Sequence, residues 1–202
     1  MVIRPSEKVL ILMSHPDDEV AFGWPILQDP AIDKEVLICA ANQFRNEAGN
    51  LTDGSKALMG LCDSLGVRCR CLGFEGRFSL ADPMLSGYFA QHIVSVASAT
   101  SCDVIYTHNP WGESGHPDHR AVSMAALHTE KPVAWSDMCI KTGAWPTPIA
   151  PRLRRAWLKG DGEQKVLDIA WYDACKRFYD DNGSWTWPFP AVESCRTYRL
   201  DP

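Results

Sequence analysis

Apolar residues in this chain fall into short continuous runs separated by longer stretches of mixed polarity. Residues 8–14 (KVLILMS) and 35–40 (EVLICA) are unbroken runs, the pattern of strands covered on both faces. Residues 67–72 and 103–107 (DVIYT) read as a third and a fourth strand. The intervening stretches carry helical spacing. Residues 19–27 predict a helix whose regularity Pro25 limits. Residues 52–65 predict a second, with Thr52 as cap, Ala57, Leu58, Leu61 and Leu65 on one face, and Gly66 as stop. Pro83–Ala99 and residues 117–128 predict two more. The resulting order, β-α-β-α-β-α-β-α, predicts an α/β fold with a mostly parallel sheet and helices on both faces. Ligands of such sheets collect at the carboxyl ends of the strands. Beyond this alternation, Val133–Ser136 predicts another strand and residues 164–179 an amphipathic helix. Residues 143–151 and 184–190, rich in Pro and Trp, read as ordered surface loops packed over the site.

Composition narrows the picture. The chain has 202 residues, 46% of them hydrophobic, which suits one buried core, so residues 1–202 are expected to form a single domain. A net charge of −5 argues against a nucleic-acid grip resting on phosphate contacts. The opening MVIRPSEKVLILMSHPDDE has too short an apolar run for a signal peptide. No run approaches the roughly 18 apolar residues of a membrane span. A cytoplasmic location is the expectation. The eight cysteines include no CxxC pair and read as reduced, mostly buried residues.

Two clusters carry chemistry. His15-Pro16-Asp17-Asp18-Glu19 directly follows the first strand, and Gly115-His116-Pro117-Asp118-His119 lies in the loop after the fourth. Both stand where a parallel sheet places its functional loops. Zinc accepts imidazole nitrogen and carboxylate oxygen, and a catalytic site keeps a position open for water. A turn into a helix would aim His15 and Asp18 at one point, with Asp17 beside them. One aspartate of the pair can then bind metal while the other takes a proton from water, whose pKa the metal lowers to about 7. His116 and His119 become neighbours at a helix start. One can complete the metal site, and the other can serve an oxyanion or a leaving amine.

The run LILMSHPDDEV, followed far downstream by THNPWGESGHPDHRAV, resembles the LmbE/PIG-L family of de-N-acetylases. The likeness covers residues 8–128 well and the C-terminal third poorly. It implies a Rossmann-like fold and hydrolysis of the N-acetyl group of N-acetylglucosamine-type sugars and related amides. It implies zinc as cofactor, with ferrous iron in some members. By position, His15, Asp18 and His119 match the metal ligands and Asp17 the general base. His116 matches the histidine that stabilises the tetrahedral intermediate or protonates the leaving amine. Asp118 matches a residue that orients a histidine.

The chain departs from the family pattern on the substrate side. Ser114 stands where members often have an aromatic residue. Gly54-Ser55-Lys56 stands where many have a substrate-binding arginine. Lys56, Arg45, Arg77 and Trp111 are the candidate substrate contacts, with Glu47 beside them. Trp145, Trp185 and Trp187 offer faces on which a sugar could stack. His108, at the end of the fourth strand, is a candidate to orient a ligand, whereas His92 and His128 match neither motif. The expected partner is a small amino-sugar substrate, with neither nucleic acid nor membrane span, and self-association is left open. Two other readings stand beside this one. One is a metal-dependent amidase acting on another N-acylated metabolite or antibiotic precursor. The other is a metal-binding module without catalysis. A dinucleotide site is disfavoured, because the first βα turn lacks G-x-G-x-x-G and is acidic.

Overall fold

The computed structural model describes residues 2–40, 54–74, 83–113, 115–138, 162–188 and 190–202. Five parallel strands, β1 (Lys8–Met13), β2 (Asp33–Ala40), β3 (Arg68–Phe74), β4 (Val104–Thr107) and β5 (Val133–Ser136), form most of one sheet. Two more strands, β6 (Glu163–Val166) and β7 (Ser194–Leu200), extend it, β7 antiparallel to both β5 and β6. The spatial order is β3-β2-β1-β4-β5-β7-β6. The direction of winding reverses between β1 and β4, and doubly wound sheets bind ligands at such a point.

Strand periodicity divides the core into two layers. Val9, Ile11 and Met13 of β1 join Val36 and Ile38 of β2 under helices α3 (Gly54–Leu65) and α6 (Ile169–Asp180). Leu10 and Leu12 point the other way, with Leu37 and Ile105, towards α4 (Pro83–Ala99) and α5 (Pro117–Ala126). The continuous apolar runs of β1 and β2 thus serve both faces at once.

Two expectations are corrected. The helix expected over residues 19–27 is broken into α1 (Asp18–Ala21) and α2 (Trp24–Leu27). The break lies at Phe22–Gly23. Pro25 sits in the first turn of α2, where a missing N–H leaves no bond unmade. A Cβ on Gly23 would stand 2.7 Å from the Glu19 carbonyl oxygen, so this join accepts only glycine without a shift. The helix expected over residues 164–179 begins at Ile169, because Glu163–Val166 pairs with β7 as an edge strand. Asp168 caps that helix, its carboxylate accepting from the Trp171 amide at 3.1 Å. Elsewhere expectation and structure agree closely. Gly66, at φ +66°, ends α3 as anticipated. Thr52 and the loop 143–151 lie outside the described residues. The described cysteines, Cys39, Cys62, Cys69, Cys71, Cys102, Cys175 and Cys195, are free thiols. No helix among the described residues is long and apolar enough to cross a membrane.

Candidate active site

The carboxyl ends of β1 and β4 bring the two sequence clusters together. After β1 the chain turns sharply through Asp17, whose φ of 95° is rare for a residue with a side chain. The turn folds Asp18 back on the residue that precedes it by three. The His15 amide donates to Asp18 Oδ2 at 2.8 Å, and His15 Nδ1 lies 3.2 Å from the same oxygen. After β4, His116 caps α5, its Nδ1 accepting from the Asp118 amide at 3.2 Å. His119 follows within the first turn, its ring centroid 4.6 Å from that of His116 and 5.6 Å from that of His15.

Asp18 Oδ2 is the common centre. His119 Nε2 stands 3.5 Å from it and His108 Nε2 3.4 Å. Donor atoms around a tetrahedral zinc, each at 2.0–2.1 Å, lie about 3.3 Å apart. His15 Nδ1 and His119 Nε2 each have about that spacing to Asp18 Oδ2. Two overlapping groups, His15-His116-His119 and Asp18-His108-His119, each bring one donor atom per residue within 4.8 Å of one another. The donor types present therefore suit zinc, and the expected trio His15, Asp18 and His119 is divided between these two groups.

The surroundings split the charges of two adjacent carboxylates. Burial pushes the Asp17 carboxyl well above the usual carboxylate range, and the charge of Asp18 adds to the effect. Donors from Thr186 pull it partly back, its amide at 2.8 Å and its hydroxyl at 2.6 Å from Asp17 Oδ2. Burial acts on Asp18 too, but His119, His108 and His15 outweigh it and hold that carboxyl well below the range. Among the imidazoles, burial opposes a charge on His15, yet Asp118 and Asp18 win and raise it to about 10. Burial together with His119 and His15 lowers His116 to about 3. Burial and His108 lower His119.

Each predicted residue can now be placed. His15, Asp18, His116 and His119 converge, with Asp17 next to Asp18 in the chain and its carboxylate held by Thr186, and all but His116 are nearly inaccessible. Asp118 is buried with its Oδ2 3.0 Å from His15 Nε2, so the histidine it contacts lies on the other motif. His108 is buried and reaches the same centre. Lys56 is exposed on the first turn of α3. Trp111, expected as a pocket wall, is 2% exposed within the α4–α5 core layer, its indole N–H donating to the Met138 carbonyl at 3.3 Å. Its structural place is packing. Arg45, Glu47, Arg77, Ser114 and Trp145 lie outside the described residues.

Three site residues escaped the sequence reading. Glu113 joins His108 and His119. Thr186 holds Asp17. Tyr179, from α6, donates to Glu19 of the first cluster. Trp187, from the loop carrying Thr186, packs edge-on against Phe22 at 4.7 Å, and Phe22 in turn lies 5.4 Å from the His119 ring. The loop over residues 184–188 thus sits against the site, as its Trp-rich composition suggested.

Residues 10–129 match the family model described as PIG-L, GlcNAc-PI de-N-acetylase. The chain belongs to this family. A curated relative in Dictyostelium discoideum, a probable N-acetylglucosaminyl-phosphatidylinositol de-N-acetylase, is 28% identical over 123 residues, 58% of this chain. The chain spans 47% of that relative's length. Among solved structures, the N,N'-diacetylchitobiose deacetylase of Pyrococcus horikoshii superposes with a TM-score of 0.62 at 12% identity, covering 99% of this chain and 87% of its own. A deacetylase of teicoplanin biosynthesis superposes at 0.61 with 17% identity, covering 96% and 100%. The fold shared with these two structures extends past residue 129, since they cover 96% and 99% of this chain.

Proposed function

We propose that this chain is a metal-dependent N-deacetylase that removes the acetyl group from an N-acetylglucosamine-type amino sugar and releases acetate. The observation that carries the reading is the convergence on Asp18. An ionised carboxylate is ringed by imidazole nitrogens at metal-ligand spacing, and the carboxyl of its neighbour Asp17 is held at raised basicity. His15, Asp18 and His119 would hold Zn2+, and Fe2+ suits the same donors. Such an ion polarises a carbonyl and acidifies water.

The chain's own groups do the rest. Asp17 takes the proton of the attacking water, a role its raised pKa suits. His116 is neutral. Its Nδ1 lone pair accepts the Asp118 amide, so its proton sits on Nε2, where it can donate to the developing oxyanion. Asp118 fixes His15 through Nε2 and leaves Nδ1 on the Asp18 side.

Replacing Asp17 by Asn is expected to lower kcat by about 10²–10⁴-fold, the usual contribution of a general base. Zn2+ content, measured by atomic emission, should stay at the wild-type level. Near-wild-type turnover would falsify the assignment of the base. A panel of N-acetylated amino sugars against other N-acylated amines separates this reading from a general amidase. A protein that binds Zn2+ but turns over neither set is a binding module.

A further inference from the structure

Glu113 is a buried carboxylate in the loop between β4 and α5, two residues before the Gly115–His119 cluster. Its Oε2 lies 2.8 Å from His119 Nδ1 and 3.1 Å from His108 Nδ1. The two rings are stacked, centroids 3.9 Å apart and 16° from parallel, so one oxygen faces both Nδ1 atoms. Glu113 is itself clamped. The Asn109 amide donates to its Oε1 at 3.0 Å, and its own amide donates to Asn109 Oδ1 at 3.0 Å. Asn109 Nδ2 is anchored on the Met138 carbonyl at 2.7 Å, just past the end of β5. Glu113 adopts a φ of +46°, a left-handed conformation that a residue with a side chain takes only under strain.

We propose that Glu113 is the positioning residue of this centre, keeping a proton on Nδ1 of both His108 and His119 and thereby aiming both Nε2 atoms at the end of β1. The inference rests on the reading of His119 as a metal ligand. For His119 the outcome is a free Nε2 lone pair on the Asp18 side. For His108 it is an Nε2 that accepts the Ser14 amide at 3.0 Å, one residue before His15. One carboxylate therefore positions the second motif directly and the first through His108 and Ser14. A carboxylate behind a metal-binding histidine typically contributes 10–100-fold in metal affinity.

Glutamine at this position keeps the shape but has one acceptor oxygen for three donors. Glu113→Gln is expected to weaken Zn2+ binding about 10–100-fold in competition with a chromogenic chelator. In 15N-resolved imidazole spectra of the wild-type protein, both rings should show a hydrogen-bonded Nδ1 proton, and both signals should shift or vanish in Glu113→Gln. Zn2+ affinity within twofold of wild type, together with unchanged ring signals, overturns the proposal. If the variant does not fold, the wild-type spectrum still decides: a ring lacking the Nδ1 proton refutes the role and two such protons support it. A wild-type protein that binds no Zn2+ defeats the metal reading separately, since the ring-proton measurement on the metal-free protein remains.

Discussion

Asp17 and Asp18 are chemically identical neighbours, yet their surroundings send them in opposite directions. Three imidazoles face Asp18, whereas Asp17 faces burial, the charge of Asp18 and two donors from Thr186. The adjacent pair was visible in the sequence, and the division of labour between them came from family likeness, not from spacing. What divides them physically arrives from residue 186, and no local pattern announces a contact 169 residues away. Thr186→Val removes one of those donors and leaves the backbone amide in place. The carboxyl of Asp17 should rise further. A base must be ionised to act, so activity climbs as pH rises through its pKa. The acid limb of the kcat/KM profile should therefore move to higher pH, with Zn2+ affinity unchanged. An unmoved limb means that Thr186 does not tune the base.

At the scale of elements, the parallel half of the sheet was legible because each strand carries its own apolar run. The broken helix was less so. Pro25 drew attention, while the break depends on a close approach at Gly23 that a sequence does not display. Gly23→Ala should destabilise the fold by about 1–3 kcal/mol, since the opposing atom is backbone and cannot swing away. Urea denaturation measures this, and a loss below 0.5 kcal/mol, the scatter of ordinary surface substitutions, contradicts it. The C-terminal third was the hardest to read. Val166, Leu167 and Ile169 merge a strand, a connection and a helix start into one apparently helical stretch, and β6 reveals itself only through its pairing with β7. Its contribution to the site is also long-range, since the Tyr179 hydroxyl meets the buried Glu19 carboxylate. Burial is the main reason that Glu19 is raised to about 7, and the Tyr179 hydroxyl opposes the rise. Tyr179→Phe should cost about 1–3 kcal/mol by leaving that carboxylate one donor short.

For the molecule as a whole, the charged groups of the site make stability depend on pH in both directions. Glu113 is lowered to about 2: burial acts against this, but His108 and His119 outweigh it. A depressed carboxyl stabilises above its unfolded value, near 4.5, and that stability is lost as pH falls towards 2. His15 is raised to about 10, so its contribution is complete below 6.5 and is lost as pH rises towards 10. The joint contribution of Glu113 and His15 should therefore be greatest between about pH 4.5 and 6.5, so the Tm lost on Glu113→Gln in chelator-treated protein should shrink below pH 4.5. On the proposed reading His15 would bind Zn2+ deprotonated, so Zn2+ affinity should rise with pH and binding should release a proton. Thermal scans across this range, with and without chelator, check both statements.

The strand order β5-β7-β6 has a consequence for how the molecule is made. Strand β6 pairs with β7 and with no other described strand, so it leaves the ribosome without a partner. Until residues 194–200 emerge, β5 is a bare edge and β6 an unclaimed strand, both open to pairing with another chain. Over the same interval Asp17, made far earlier, waits for Thr186. A nascent chain stalled between β6 and β7 would hold every residue of both histidine motifs, with its sheet still unclosed.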